Sequence, residues 1–160
     1  MIHIYHPNGY NFYDQAQLRA YLGDFDAAMI AAGLERTADT GQLDVATVVP
    51  ATNTTSGLLV HLFAPMLYKW PGVGNYPDLY LRVRFSVGNT FDSNTGHVPA
   101  AAVTVGTGTT GSAELTGVVL TAQAAEPALQ DGYSFMSDER DGYVASGDSF
   151  LSVCINPGRQ

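Results

Sequence analysis

The residues at 106–111 read GTGTTG and match the glycine spacing G-x-G-x-x-G of a dinucleotide-binding loop. In that loop the pyrophosphate binds to N–H groups at the start of a helix, which must begin near the third glycine. Residues 112–121 instead include the run Thr116, Gly117, Val118 and Val119, whose β-branched residues are typical of a strand. We therefore expect a glycine-rich connection between antiparallel strands, and no cofactor.

Histidines and carboxylates are the residues that could hold a metal ion. A zinc or iron site needs about three such side chains that converge. His3 and His6 are separated by two residues, so in a strand or turn they would not point together as an i, i+4 pair on a helix does. The loop at 92–96 begins like a calcium loop, but Val103 stands where the final glutamate should be, and residues 138–142 hold three carboxylates. We expect polar turns at both loops and no metal. The remaining histidines are His61 and His97.

The residues that could act as nucleophiles or acids do not occur in a recognisable catalytic motif. No Gly-x-Ser-x-Gly motif occurs, and Ser146 and Ser149 have no histidine near them in sequence. Two of the fifteen acids could pair in space as in a glycosidase, but the spacing selects no pair. Cys154 is the single cysteine, has no adjacent basic residue and lies in an apolar run, which favours a buried thiol. We therefore predict no catalytic residue.

Large apolar side chains are concentrated in residues 64–76, a segment that Pro65, Pro71, Gly72 and Gly74 interrupt. Such a segment should either plug one end of the core or form an exposed contact patch. Its rings could serve as platforms for sugars or as anchors at a protein interface. The candidate interface residues are Met66, Leu67, Tyr68, Trp70 and Tyr76.

One helix is predicted at 14–33. Asp14 is a candidate N-cap, with Gln17 three residues later, and Gly33 is placed to end the helix. Its apolar residues recur at three- and four-residue steps, so they form one stripe that should pack on the apolar face of a sheet. The stripe consists of Leu18, Tyr21, Leu22, Phe25, Met29 and Ala32.

Residues 79–87 alternate with a period of two, which predicts a strand that is buried on one face. The residues with odd numbers are apolar, while Arg82 and Arg84 lie on the other face. We predict an α+β fold in a single domain, 1–160, made of an antiparallel sheet or sandwich at 42–156 with the helix docked on it. The other strands are expected at 45–49, 58–63, 101–105, 114–121, 133–137, 143–145 and 150–155, the last three as a meander.

The composition restricts the partners. The chain has 160 residues, 46% of them hydrophobic, only 14% charged and with a net charge of −8. Lys69 is the only lysine, so we expect no binding to nucleic acid or to an anionic membrane surface, because both need clustered Lys and Arg. No apolar run approaches about 20 residues and no signal-peptide pattern occurs, so we expect neither a membrane span nor classical secretion.

Residues 77–117 resemble small structural proteins of tailed bacteriophages. These proteins pair a strand of the form P-x-x-Y-L-x-V/I-x-F/Y-x-x-G with a following V-x-V-G-T-G-x-x-G-x-x-x-L-T-G. The departures are Arg82 and Arg84, where the group has lysine or uncharged residues, and the residues from Tyr133 to the 138–142 turn are also similar. The matching residues are Pro77, Tyr80, Leu81, Val83, Phe85 and Gly88, then Val103, Val105, Gly106, Thr107, Gly108, Gly111, Leu115, Thr116 and Gly117.

The resemblance implies a virion protein of the tail, baseplate or tail tip, which assembles with other virion subunits and as a homo-oligomer, and which performs no catalysis. Such a protein is made in the bacterial cytoplasm, in keeping with one unpaired cysteine. We expect the helix and residues 64–76 to anchor the subunit, and residues 106–111 and 138–142 to face solvent or a neighbour. The alternatives are a tail-associated module that binds a host-surface receptor or glycan, and a cell-wall or polysaccharide hydrolase.

Overall fold

A computed structural model of the chain describes residues 2–5, 14–50, 60–89, 97–121, 133–134, 142–147 and 150–154. Within these ranges one helix and twelve strands, all paired antiparallel, confirm the predicted α+β fold. The elements are β1 (Ile2–Tyr5), α1 (Gln15–Ala31), β2 (Glu35–Arg36), β3 (Val60–Leu62), β4 (Met66–Trp70), β5 (Leu79–Asn89), β6 (His97–Gly106), β7 (Gly108–Thr109), β8 (Leu115–Thr116), β9 (Leu120–Thr121), β10 (Tyr133–Ser134), β11 (Gly142–Gly147) and β12 (Phe150–Cys154).

Both ends of α1 have the predicted caps. The Asp14 carboxylate accepts the backbone N–H of Gln17 at 2.8 Å, so it satisfies one free donor of the first turn. At the other end Gly33 takes a φ of +91°, and the N–H of Leu34 reaches the carbonyl of Met29 at 3.2 Å. This is a Schellman motif, in which glycine adopts the left-handed conformation at little cost.

The large sheet has seven strands. Its main path is β10-β6-β5-β4-β2, while β3 also pairs with β5 and β9 also pairs with β6. In the register, Val83 of β5 lies between Met66 of β4 and Val103 of β6. Because side chains alternate across a strand, these residues share one face with Leu81 and Phe85, and all four of Met66, Leu81, Val83 and Phe85 are buried. The alternation predicted for β5 is confirmed.

The helix packs on that face through aromatic rings. Phe25 meets Phe85 edge to face, with ring centroids 5.2 Å apart, and meets Tyr68 at 6.3 Å. Tyr21 makes the same kind of contact with Phe85 at 5.6 Å. The predicted docking of the helix on the sheet is therefore confirmed, whereas a two-sheet sandwich stays a prediction. The buried helix residues are Leu18, Tyr21, Leu22, Phe25, Ala28 and Met29.

The predicted meander at the end of the chain is wrong. β11 and β12 do form a hairpin, but β10 pairs with β6 of the large sheet. The other neighbour of β11 is β1, so a separate three-stranded sheet joins both ends of the chain. The hydroxyl of Ser146 in β11 donates to the carbonyl of Ala32 and connects this sheet to the end of α1. Such distant pairings leave no periodic signal in sequence.

A further correction concerns residues 45–49, which are not a strand. Asp44 starts a turn there, because its carboxylate accepts the N–H of Ala46 at 2.9 Å and the hydroxyl of Thr47 at 2.9 Å. A short acidic side chain that bonds to nearby backbone competes with strand pairing. The strand expected at 114–121 is divided into β8 and β9 around Gly117, whose φ is +56°.

The GTGTTG run belongs to a hairpin. β7 pairs with β8, and residues 112–121 contain no helix, so the expected connection between antiparallel strands is confirmed. The tip of this hairpin is tied to the loop after β2. The hydroxyl of Thr109 donates to the Asp39 carboxylate at 3.0 Å, and the N–H of Thr40 donates to the carbonyl of Gly111 at 3.0 Å. These hydrogen bonds attach residues 106–111 to the loop after β2, so the run packs against the rest of the protein and does not only face solvent.

Asp39 should make this attachment depend on pH. Burial opposes ionisation of Asp39, but hydrogen bonds from the side chains of Thr37 and Thr109 and from the backbone of Gly111 and Ala113 outweigh it. The pKa of Asp39 therefore falls below its ordinary 3.8. A lowered folded-state pKa stabilises the fold above pH 3.8, and this contribution is lost as the pH falls through the folded value.

We expect Asp39→Asn to lower the thermal unfolding midpoint at pH 7, where the wild-type carboxylate is charged. At pH 3, which is below the ordinary pKa of 3.8, the difference between the two proteins should shrink, because the unfolded wild-type chain binds a proton there and the stability that the lowered pKa supplies decreases. Thermal unfolding followed by circular dichroism at both pH values measures this. Thr109→Val, which removes one donor to the carboxylate, should reproduce part of the effect at pH 7. An equal midpoint difference at pH 7 and pH 3 contradicts the role given to the charge.

Candidate interaction surface

Three of the five predicted interface residues are in the core. Met66, Leu67 and Tyr68 have no exposed surface, so the interface prediction is wrong for them. The physical reason is that residues 66–70 are strand β4, with β5 on one side and β2 on the other. Trp70 is half-buried and packs against the core, while Tyr76 is 68% exposed. These two residues remain candidates for an interface.

Trp70 and Tyr76 flank the turn between β4 and β5. The Asp78 carboxylate closes this turn by accepting the N–H of Gly72 at 2.9 Å, and the N–H of Tyr76 reaches the carbonyl of Val73 at 3.2 Å. A Cβ on Gly72 would lie 2.0 Å from the carbonyl oxygen of Tyr76. The position therefore requires glycine, because the turn brings two backbone segments together more closely than any side chain allows.

A shallow groove of about 160 Å³ opens on this turn. No charged side chain lines it, and apart from the glycine its walls are aromatic, aliphatic and proline side chains. Cavities of this size hold about one apolar side chain or one small ring. The lining residues are Trp70, Pro71, Gly72, Val73, Tyr76, Pro77 and Leu79.

Two exposed valines lie at the same end of the large sheet. Val118 is 52% and Val119 63% exposed, in the connection from β8 to β9. The N–H of Val119 donates to the carbonyl of Val105, at the end of β6 that pairs with the start of β5. The start of β5 also pairs with Trp70, so the valines and the groove share one end of the sheet.

We call this surface the apolar end and define it by Trp70, Val73, Tyr76, Val118 and Val119. Among the side chains that the structure describes, seven large hydrophobic ones are exposed, and four of them belong to the apolar end. Exposed apolar residues that were distributed at random over the surface would not be concentrated at one end of the sheet. The remaining three are Ile30, Val49 and Leu62.

Two charged residues next to the turn form an ion pair, and the exposed Glu35 of β2 lies opposite Lys69 in the sheet. Lys69 Nζ lies 2.8 Å from the Asp78 carboxylate. The hydrogen bond and charge of Asp78 raise the pKa of Lys69, and the bond from Lys69, with the N–H of Gly72, lowers the pKa of Asp78. Both groups therefore stay ionised at neutral pH. A protein of net charge −8 thus has a balanced ion pair beside its groove.

A polar cluster that the sequence did not reveal joins the helix to the sheet. Tyr68 donates its hydroxyl to Asp26 of α1 at 2.7 Å, and Arg36 of β2 donates to the same oxygen at 3.0 Å. Burial and then the nearby Asp26 charge raise the pKa of Tyr68 well above its ordinary value. The Arg36 guanidinium also donates to the carbonyl of Leu43 at 3.0 Å. The arrangement fits a structural role. Because Tyr68 stays protonated, its hydroxyl remains a hydrogen-bond donor to Asp26 and holds the helix to the sheet.

The other residues that could do chemistry are dispersed or lie outside the described residues. His3, His61 and His97 are in β1, β3 and β6, and Cys154 is in β12, while His6, the 92–96 loop and residues 138–141 are not described. Among the described residues, no group of three or more His, Cys, Asp or Glu could hold a metal ion. The described helix is too short and too polar to cross a membrane.

Sequence reasoning found the apolar end only in part. Trp70 and Tyr76 were predicted, whereas Val73, Val118 and Val119 were missed. The valines lie in the connection between β8 and β9 and not in a strand, so the alternation of strand residues could not indicate their exposure. Comparisons of the chain with protein-family models, curated proteins and solved structures give no match. The apolar end is therefore the feature from which a function must be argued.

Proposed function

We propose that this protein is a structural subunit of a tailed-bacteriophage virion, in the tail or baseplate, with a binding rather than a catalytic role. It contacts neighbouring virion subunits through the apolar end. The observation that carries the proposal is the set of four exposed apolar side chains at one end of the large sheet, two of which, Val73 and Tyr76, line a groove. Soluble monomers rarely leave such a patch uncovered, so a partner that buries it stabilises the protein.

The chemistry of the apolar end suits a protein partner. Trp and Tyr are enriched at the centres of protein interfaces, where charged residues are depleted. Here an indole and a phenol line a groove without charged walls. The net charge of −8 and the single lysine disfavour nucleic acid or an anionic membrane as the partner.

The assignment to a phage tail depends on the resemblance at 77–117. That range begins in the β4–β5 turn and runs through β5, β6, β7 and β8 to the residue before Val118. It therefore includes one wall of the groove and the connection that leads to the exposed valines. The five residues that define the apolar end lie just outside this range, while Pro77 and Leu79 of the groove lie within it.

Glycan recognition is the second candidate, and one observation favours it. Trp70 and Tyr76 line a single groove, and aromatic faces commonly stack on the apolar faces of sugar rings. On a tail, this activity would bind a host-surface receptor. A glycan array with the purified protein distinguishes the two functions, because a subunit that only contacts other virion proteins gives no signal there.

The proposed function can be tested in virions. Particles of a phage whose genome encodes this chain should contain it in fixed stoichiometry when they are purified and analysed by mass spectrometry. Antibody labelling in electron micrographs should place it at the tail. Val73→Asp, which puts a charge at the groove, should deplete the chain from particles, whereas Val49→Asp, at a 70% exposed valine outside the apolar end, should not. Particles free of the wild-type chain would refute the proposal.

A further inference from the structure

We infer that residues 107–117, which contain the β7–β8 hairpin, are an acid-released strap. This strap opens as a unit away from the large sheet when the Asp39 carboxylate that holds its tip takes up a proton, while the helix and the large sheet stay folded. The inference is independent of the proposed function, because it concerns a motion within one chain. Three features lead to it: the bounds of the strap, its attachment and the charge of that attachment.

The strap is an insertion between two strands that pair with each other without it. β6 ends at Gly106, and after the strap the N–H of Val119 donates to the carbonyl of Val105 at 2.9 Å, where β9 pairs with β6. The backbone bonds of the strap are internal, since β7 pairs with β8 and the N–H of Thr107 donates to the carbonyl of Thr116 at 3.0 Å. Opening therefore breaks no strand pairing of the large sheet.

The closed strap lies on the face of the large sheet that points away from α1. Arg82 of β5 is on this face, because the buried Leu81 and Val83 beside it point to the helix. The Arg82 guanidinium lies 3.2 Å from the Glu114 carboxylate of the strap, and the Arg82 side chain is only 13% exposed. Leu67, opposite Arg82 in the register, is buried on the same face. Opening therefore exposes Arg82 and the surface beside it.

The tip of the strap is held by two residues of the loop after β2. The Asp39 carboxylate accepts the hydroxyl of Thr109 at 3.0 Å and the backbone N–H groups of Gly111 and Ala113. The N–H and the hydroxyl of Thr40 donate to the carbonyl of Gly111 at 3.0 and 3.2 Å. Hydrogen bonds to an ionised carboxylate are about twice as strong as neutral ones, so the attachment depends most on the charge of Asp39.

Ala113 opposes the closed state. Its φ of +60° is in the left-handed region, which alanine rarely adopts, and its side chain is buried beneath the tip. Such a conformation persists only where the surrounding contacts hold it. An open strap can leave this conformation, so backbone strain favours opening once the attachment weakens.

The sign of the pH dependence follows from the donors around Asp39. They outweigh the effect of burial and hold the pKa of Asp39 below its ordinary 3.8, so the closed strap is favoured above pH 3.8 and the attachment weakens as the pH falls below it. The partners of Asp39 in this attachment are uncharged hydroxyl and N–H groups.

Other charged groups near the strap contribute less. The Glu114 side chain is 62% exposed, and an ion pair so open to water stabilises little. The Asp44 carboxylate bonds to Ala46 and Thr47 within its own turn. The charged residues on this face of the described sheet, in the loop after β2 and in the strap are Glu35, Lys69, Arg82, Arg84, Asp44 and Glu114, besides Asp39.

Amide hydrogen exchange of the wild-type chain at pH 7, followed by NMR in low concentrations of denaturant, tests whether the strap opens as a unit. Amides of the strap should exchange through an opening that depends weakly on denaturant, because little surface is exposed. Amides of α1 should exchange through an opening that depends steeply on it. An equal dependence for the strap and α1 means that the strap opens only with the whole protein, and overturns the inference.

Asp39→Asn tests the role of the charge. It keeps the size of the side chain, and at pH 7 it should speed exchange of the strap amides about tenfold or more. Asp44→Asn makes the same change in the same loop, at a carboxylate that bonds within its own turn, and should leave strap exchange unchanged. Equal acceleration by the two variants contradicts the assigned role. Thr109→Val, which keeps the carboxylate and removes one donor to it, should give part of the acceleration.

An acid titration of the wild type, followed by NMR, tests the release itself. Between pH 7 and pH 3 the amide resonances of Thr109, Gly111 and Ala113 should move towards the positions of an open strap, while those of α1 and β5 keep their native positions. Resonances of the strap that stay native at pH 3, or that are lost only together with those of α1, overturn the inference. Neither result bears on whether the chain is present in virions, so the proposed function is tested separately.

Discussion

Replacing Phe25 with alanine is expected to lower the free energy of unfolding by about 3–5 kcal/mol. The Phe25 ring has no exposed surface and makes edge-to-face contacts with Phe85 at 5.2 Å and Tyr68 at 6.3 Å. Its removal leaves a cavity between the helix and the sheet, in the middle of the core. Chemical denaturation at neutral pH, followed by circular dichroism, measures the change.

Ile30→Ala is the matched control for Phe25→Ala. Ile30 is on the same helix but is 45% exposed, so its truncation should change the free energy by about 0.5 kcal/mol or less. Similar losses for the two variants would show that the helix is not held by its buried stripe. The packing described here for Phe25 would then be wrong.

Gly72→Ala is expected to cost about 1–3 kcal/mol through overpacking. The new Cβ would lie 2.0 Å from the carbonyl oxygen of Tyr76 and 2.7 Å from the carbonyl carbon of Pro77. Backbone atoms cannot move aside as a flexible side chain can, so the β4–β5 turn must shift. Because that turn forms the groove, the variant should also lose affinity for its partner. Denaturation and sedimentation velocity report the two effects.

Gly23→Ala makes the same chemical change with the opposite expected sign. Gly23 is within α1, and a Cβ there would meet only Val45 Cγ1 at an ordinary 3.7 Å. The substitution should raise the free energy of unfolding by about 0.4–1 kcal/mol, because alanine restricts the unfolded chain and favours the helix. If both variants destabilised the protein equally, the close approach at Gly72 would not be the cause.

Local chemistry explains which elements could be predicted. The helix was found with both caps because Asp14 and Gly33 act on backbone groups a few residues away. β5 was found because its alternation reflects a single buried face, and the register with β4 and β6 confirms that face. In both cases the sequence signal and the structural cause lie within the same short segment.

The features that were missed depend on residues far apart in sequence. Tyr68 was expected at an interface, but it is buried because Asp26, 42 residues earlier, accepts its hydroxyl and Phe25 packs on its ring. Residues 66–70 looked irregular because Pro65 and Pro71 enclose them, yet prolines just outside a strand are compatible with pairing inside it. The apolar end likewise combines the β4–β5 turn and the β8–β9 connection, which are far apart in sequence and come to the same end of the sheet only through strand pairing.

Gln42 has a consequence for how copies of the chain can join. Its amide oxygen accepts the N–H of Leu67 at 2.8 Å, and its amide nitrogen donates to the carbonyls of Thr37 and Asp39 at 2.8 and 3.1 Å. The side chain thus acts as a substitute peptide group and continues the β2–β4 ladder past its last paired residue. Since this border of β4 is already saturated, a foreign strand cannot add to it, and runaway fibre growth is blocked there.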